Sequence, residues 1–440
     1  MTGILKQINE LRSFLILWGS RSISTLGSSM TSYALLIWVY QKDKSTMSVA
    51  LLAVCTYLPS ILLSLFAGVI ADRCKKKTII LLCDCLAAAV TLTVFILMSF
   101  DKLIVGHIYM ANILLSIMNA FQVPADVVAV TKLVPMKYYQ KIGGLQSISS
   151  SAVGILTPAF AVSILSFSSI RMIFIMDLVS FLMAFITMVF FIKIPEDHHQ
   201  LKIAEITYVQ DCKAGFSYLK ENSSLLQLIL FFTAINLVAY IGGGGLTTTV
   251  ASMIMTRLPD GKTVLGMVSA AVGFGTLAGG FCVAFMKPPK SRTGVIFASC
   301  ALSFLLCDFS LGLSRSPMIW IIFNFLGSLP LAFLNANQSV ILRTKMPVAL
   351  QGRVFVARDT LQYCTIPLGY LLGGFFADYV FEPFMQSNLK VRYLFEYIVG
   401  EGKGAGIALM FLITGILGTV ISLLGLNCNN IKQLDQVTGK

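Results

Sequence analysis

Long apolar runs broken by short polar loops succeed one another along the whole chain. A helix that crosses a bilayer needs about 20 apolar residues. The pattern predicts twelve such helices, near 14–40, 47–71, 78–100, 103–128, 142–166, 171–193, 225–250, 263–286, 293–313, 317–342, 355–381 and 404–426. The runs are apolar all round, as helices set in lipid are. Two are less uniform: 103–128 carries polar residues, and 225–250 contains the glycine run 242–245, which allows a broken or bending helix. Pro158 and Pro367 can kink spans five and eleven. These runs specify an all-α membrane protein with twelve transmembrane helices.

Composition narrows this. Of the 440 residues 56% are hydrophobic and 12% charged, against roughly 25% charged in soluble domains. The net charge of +13 could suggest nucleic acid, but topology explains it better. With the N-terminus inside, 22 of the 33 lysines and arginines fall in cytoplasmic segments, 10 in outer loops, and one, Arg21, within span one. Positive charge collects on the cytoplasmic side, so both termini are expected there. The polar start before span one does not read as a cleavable signal peptide. Cysteines such as Cys83, Cys85, Cys300 and Cys307 lie inside apolar runs and read as buried thiols, with neither a disulfide framework nor metal spacing.

The longest cytoplasmic loop lies halfway along the chain. It gives a first six-helix half, 1–193, a linker, 194–224, and a second half, 225–440. Within the linker, Asp197, His198 and His199 precede an amphipathic stretch, 209–219, suited to lying on the inner leaflet. The two histidines have no third ligand nearby, so no metal is expected. An offset of 212 residues relates the halves: Gly68 to Gly280, Ala120-Phe121 to Ala332-Phe333, Pro135 to Pro347, and Ile142 to Val354. Six spans separate the copies, so the repeats are parallel, a pattern of transporters with a site near the midplane.

Charge within a bilayer is costly, which makes each ionisable residue in a span a functional candidate. Arg21 either faces a cavity, holding an anionic group or an acid, or forms a structural ion pair or snorkels. Asp84, Asp177 and Asp308 are candidates for proton coupling, because an apolar setting penalises a bare carboxylate. Against that, Asp84 could pair with Arg21 or with the 73–77 cations, and Asp177 with Arg171. Tyr33, Asn236, Tyr240, Asn335, Asn337 and Gln338 could contact a ligand. Spans one and five are rich in serine, which suits close packing or a wet path. No phosphate-binding loop, nucleophile elbow, flavin fingerprint or metal set is present in the sequence, so neither ATP-driven work nor enzymatic chemistry is expected, and no cofactor.

Between spans two and three the chain reads Gly68-Val69-Ile70-Ala71-Asp72-Arg73-Cys74-Lys75-Lys76-Lys77. This resembles the loop pattern G-x-L-A-D-R-x-G-R-K of the major facilitator superfamily, with Lys75 in place of the second glycine. Within that superfamily the chain is most similar to the drug-efflux branch that includes macrolide and enterobactin exporters. That likeness is carried by Leu17-Trp18-Gly19-Ser20-Arg21 with Leu26-Gly27, Pro124-Ala125, Asp177-Leu178-Val179-Ser180-Phe181, Gly215-Phe216-Ser217-Tyr218-Leu219, Gln351-Gly352-Arg353-Val354-Phe355 and Ile366-Pro367-Leu368-Gly369. The resemblance covers nearly the whole chain. It departs in two places. Leu115 stands where span four often carries an arginine, and the span-five antiporter pattern is eroded to Gly154-Ile155-Leu156-Thr157-Pro158 with Ala161-Val162.

The resemblance implies a gating role for Gly68, Asp72, Arg73, Arg353 and Arg358. Asp72 would accept hydrogen bonds from the first amides of span eleven, where the helix dipole is positive, and Arg353 or Arg358 would add a charge-assisted bond. Ala284, at the repeat-related place, carries no acid, so this latch would be asymmetric. The whole implies a secondary active exporter of an amphipathic small molecule (a drug, siderophore or peptide-like metabolite), working by alternating access with proton antiport. Multidrug resistance, a bacterial plasma (inner) membrane location and function as a monomer go with it, and its partners would be substrate, protons and lipid. Two alternatives stay open: a non-transporting sensor or assembly factor on this fold, and an importer or uniporter.

Overall fold

The computed structural model describes residues 10–135, 138–194, 216–244, 248–346, 351–387 and 390–435; within these, the side chains of 65–73, 139–141, 143–144, 147, 343, 351–353 and 355–356 are not described. The described residues form helices and no strands. In chain order they are α1 (Arg12–Asp43), α2 (Thr46–Arg73), α3 (Lys76–Ser99), α4 (Val105–Leu133), α5 (Tyr139–Phe167), α6 (Ile170–Phe190), α7 (Ser223–Ile241), α8 (Thr249–Arg257), α9 (Gly261–Phe285), α10 (Arg292–Leu313) and α11 (Pro317–Lys345). Then come α12 (Gln351–Tyr363), α13 (Thr365–Phe375), a π-helical segment (Phe376–Phe381), α14 (Glu382–Gln386), α15 (Lys390–Val399), α16 (Ala405–Leu426) and α17 (Asn429–Lys432).

Eleven segments among the described residues are long and apolar enough to cross a membrane. The twelfth expected span, α1, has 32 residues and so a length of about 48 Å, but Arg21 and its many hydroxyl residues lower its hydropathy. Span seven departs from the expected 225–250. Its first helix stops at Ile241, and Gly243 turns the chain with φ +90° before α8 begins at Thr249. A side chain at Gly243 would be strained there and would collide with Thr249. Span eleven is interrupted twice. Cys364 separates α12 from α13, three residues before Pro367, whose missing N–H leaves the Tyr363 carbonyl without its usual donor. The π segment precedes Pro383, which likewise cannot donate to the carbonyl of Tyr379.

The chain folds as two compact units. The first holds spans one to six apart from the opening turns of α2; those turns, Asp43–Val54, belong with the second, which holds spans seven to twelve. In the first unit, Leu17, Ile80, Cys83, Ala125, Ala129 and Met188 form a core between α1, α3, α4 and α6. Gly27 lets α1 approach α6: a Cβ there would lie 3.1 Å from Asp177 Cα and 2.5 Å from Ser180 Oγ. In the second unit, Phe231 meets Phe297 edge-on at 4.6 Å, within a core that also takes in Phe304 and Ile431. Gly275 and Gly279 of α9 face the backbone carbonyls of Phe325 and Leu329 on α11, the small-residue spacing that allows close helix contact.

The short C-terminal segment is pinned by one carboxylate. Asp435 accepts from the amides of Arg292 and Thr293 at 2.7 and 2.9 Å and from the hydroxyls of Ser291 and Thr293, capping the start of α10. Burial opposes its charge, but the hydrogen bonds from Thr293, Ser291 and Arg292 hold its carboxyl below the ordinary 3.8. A carboxyl held low stabilises above that ordinary value, and the contribution is lost as pH falls through the folded-state value. Asp435→Asn is therefore expected to lower the melting temperature at neutral pH, with the gap to wild type closing below about pH 4; thermal unfolding in detergent across a pH series measures it.

Candidate transport site

Arg21, about ten residues into α1, reaches α3 and α4 at once. Nη1 donates to both carboxylate oxygens of Asp84 at 2.8 and 3.1 Å, and Nη2 to both oxygens of Asp126 at 2.8 and 2.7 Å. The fork geometry of guanidinium suits two such contacts, whereas a lysine ammonium would not. Gln122, one turn before Asp126 and so on the same face of α4, donates to Asp84 at 2.6 Å. The three charged side chains are 22%, 13% and 35% exposed. The group holds one cation and two anions, a formal charge of −1. Asp126 is missing from the residues read out of the sequence, because the expected span closed at 128. The helix runs on to Leu133, which puts Asp126 well inside it. Its spacing from Gln122 is the signal that could have found it.

The other two acids sit apart from this group. Asp177 is buried and accepts from Ser28 Oγ at 2.9 Å. Its suggested partner Arg171 instead approaches Asp101, at 3.7 Å on the surface. Asp308 on α10 accepts from Thr414 of α16 at 3.0 Å, and the end of α7 comes so close that a Cβ on Gly242 would be 3.3 Å from the carboxylate. Tyr33 packs beside Met30, Ala161 and Ile173.

In the second unit a polar ladder joins span seven to the interruption in span eleven. Thr233 Oγ1 donates to Leu361 O at 3.2 Å, Asn236 Nδ2 to Gln362 O at 3.1 Å, and Thr365 Oγ1 to Thr233 O at 3.4 Å. Carbonyls freed where a helix breaks need donors, and polar side chains of the next helix supply them. Gln338 Nε2 lies 3.5 Å from Gln362 Oε1. Gln362 itself is buried, with no partner for Nε2 among the described residues; it is not among the residues expected from the sequence, although the Pro367 kink pointed to this turn. Tyr240 stacks edge-on with Tyr370 at 5.0 Å. Of the remaining ligand candidates, Asn337 is buried and bonds its own helix at Phe333 O, and Asn335 is exposed.

The side chains of Gly68, Asp72, Arg73 and Arg353 lie outside the described residues, as do His198, His199 and the greater part of 209–219. The backbone of 68–73 belongs to α2, so the interhelix loop proper is only 74–75, shorter than the sequence suggested. Arg358 bonds its chain neighbour Asp359, with Nε to Oδ1 2.8 Å. Lys77 caps the end of α6, donating to Val189 O and Ile192 O at 3.0 and 2.8 Å. No group of three metal-ligating residues is found among the described residues.

Residues 10–384 match the family described as "Transmembrane secretion effector". The chain is similar to macrolide efflux protein A of Streptococcus pyogenes, 23% identical over 374 residues that cover 85% of this chain and 91% of the relative. It is 26% identical over 280 residues to the uncharacterized MFS-type transporter YkuC of Bacillus subtilis, covering 61% and 63%. Among solved structures, a mutant of the nucleoside transporter NupG superposes with a TM-score of 0.68 at 13% identity, covering 94% of this chain and 98% of that one. An occupied, inward-facing bacterial homologue of the lysosomal transporter Spinster gives 0.67 at 15%, covering 98% and 99%. At these identities the structures speak for the fold alone.

Proposed function

The chain belongs to the transmembrane secretion effector family of major facilitator transporters, and we propose that it exports an amphipathic small molecule by alternating access, driven by proton antiport. The charge count of the Arg21 group carries this reading. One guanidinium neutralises one of its two carboxylates. A proton taken up by either Asp84 or Asp126 makes the group neutral, and its release restores the charge of −1. In a low-dielectric span that difference is large enough to favour different helix arrangements. Asp84 was expected to be able to carry a proton, and Asp126 shares the task.

Relatives named as macrolide efflux proteins support outward transport of a bulky, amphipathic compound. The ligand-facing residues we assign are Tyr33 in the first half and Asn236, Tyr240, Gln338 and Gln362 in the second. The halves are parallel repeats, 1–193 and 225–440, with both termini cytoplasmic. Asp177 and Asp308 each have a hydroxyl partner and, among the described residues, no guanidinium, so both stay candidates for proton coupling beside the Arg21 group.

Reconstituted protein in liposomes loaded with a pH-sensitive dye tests the reading. Adding a macrolide is expected to collapse an imposed proton gradient, and the gradient to drive macrolide accumulation on the acidic side. Macrolide movement that ignores the gradient in both directions, with no dye response, would overturn the coupling. No movement across a broad panel of amphipathic compounds would overturn the exporter.

A further inference from the structure

We infer that α15, the short helix in the loop joining spans eleven and twelve, lies in the lipid headgroup region as a membrane-docking surface. A helix in a water-covered loop turns its charges outward and its apolar face to the protein. In α15 the faces are reversed. Arg392 and Glu396 pair at 3.4 Å with side chains only 20% and 16% exposed, and Arg392 Nη1 also donates to Ser387 O. On the same inward face Phe395 meets Phe384, and Val399 is buried. The outward face presents Val391, Tyr393, Leu394, Tyr397 and Ile398, with Tyr397 92% exposed.

The occupant follows from where the helix is tied. It begins four residues after α14 ends span eleven, and ends six residues before α16 begins span twelve, so it is held at the height of the membrane surface. The final turns of span eleven leading to it already expose Phe375, Tyr379 and Val380, so the apolar face continues a lipid-facing belt. Tyrosine is the side chain that collects at this depth, with an apolar ring and a polar tip. Lys390 and Lys403 are exposed on either side of the helix, placed to meet lipid phosphates. A phospholipid leaflet suits all of this: aliphatic and aromatic groups toward the chains, cations at the rim, and the ion pair turned away into protein.

Tyr397→Trp changes little at so exposed a position and places a reporter at the centre of the face; Glu401→Trp, in the exposed loop beyond, is the comparison. Both are made in the full chain and placed in nanodiscs holding one copy each, of ordinary or brominated phosphatidylcholine, with wild-type emission subtracted. At 397 the added fluorescence is expected to be blue-shifted and to fall about twofold or more in brominated lipid, with little quenching by aqueous acrylamide. At 401 the order is expected to reverse. Acrylamide quenching at 397 equal to that at 401 would overturn the proposal and leave the helix in water. Shielding at 397 that appears only in discs holding two copies would overturn it in favour of a contact between copies.

Discussion

Arg21→Leu is expected to reduce transport to background and to lower thermal stability by the largest margin of any single change considered. The substitution leaves Asp84 and Asp126 facing each other without the guanidinium they share. Removing one partner of a buried ion pair costs about 3–5 kcal/mol. The lower end applies here, because Asp126 is a third exposed and water screens part of its charge. Arg21→Lys should be intermediate, since a point charge cannot hold two carboxylates by paired bonds. The decisive comparison is the neutralised triple variant, Arg21→Leu with Asp84→Asn and Asp126→Asn. It removes the stranded charges, so the melting temperature should recover most of the loss while substrate-driven proton flux stays absent. Asp126→Asn alone should fold normally, since it leaves one cation and one anion, yet uncouple substrate movement from the proton gradient. Melting curves in detergent and dye-loaded liposomes give both readouts. A triple variant that transports with normal proton coupling would reduce the group to a structural clamp.

The architecture was readable from the sequence because lipid imposes it: a run of apolar residues long enough to span can do little else. What escaped were the places where chemistry other than apolar length decides. Span seven stops early because Gly243 takes a left-handed conformation, and span eleven breaks and widens where Pro367 and Pro383 withhold donors. The glycines and prolines were visible; that Thr233 and Asn236 would reach the carbonyls of Leu361 and Gln362, just before the break at Cys364, depended on two helices meeting. Arg21 and Asp84 were each legible as charges in the wrong medium, but sequence left open whether the acid's partner would be Arg21 or the basic loop. Helix packing chose Arg21, and brought in Asp126 from a turn that hydropathy had assigned to the membrane edge. Residues 72–77 read as the loop between spans two and three because they are charged; the backbone continues as helix through Arg73 and starts again at Lys76.

Asp378→Ala is expected to slow transport about tenfold while leaving the apparent affinity for substrate within about twofold. Asp378 sits on the π segment of span eleven and caps the start of span two: Ser45 Oγ donates at 2.7 Å, the amide of Met47 at 2.9 Å and that of Thr46 at 3.2 Å. The two helices touch closely here, since a Cβ on Gly374 would lie 2.7 Å from Ala50 Cβ. An N-cap carboxylate is worth about 1–2 kcal/mol, and about 1.4 kcal/mol is a factor of ten in an equilibrium. A cap supplied by one helix to another contributes only in conformations where the two meet. Its loss therefore redistributes conformations without touching a ligand-facing residue, which is why rate and affinity should separate. Asp378→Asn, which keeps an acceptor oxygen but loses the charge, should fall between. The resemblance to the superfamily implies a gating role of the same carboxylate chemistry for Asp72, at the other end of span two. Asp72→Ala should then show the same signature, slower turnover at unchanged affinity. Initial rates over a substrate series distinguish the outcomes. If Asp378→Ala weakens affinity with turnover intact, the residue belongs to binding. If neither changes, the cap is static, and the pairing of spans two and eleven at that end does not break during the cycle.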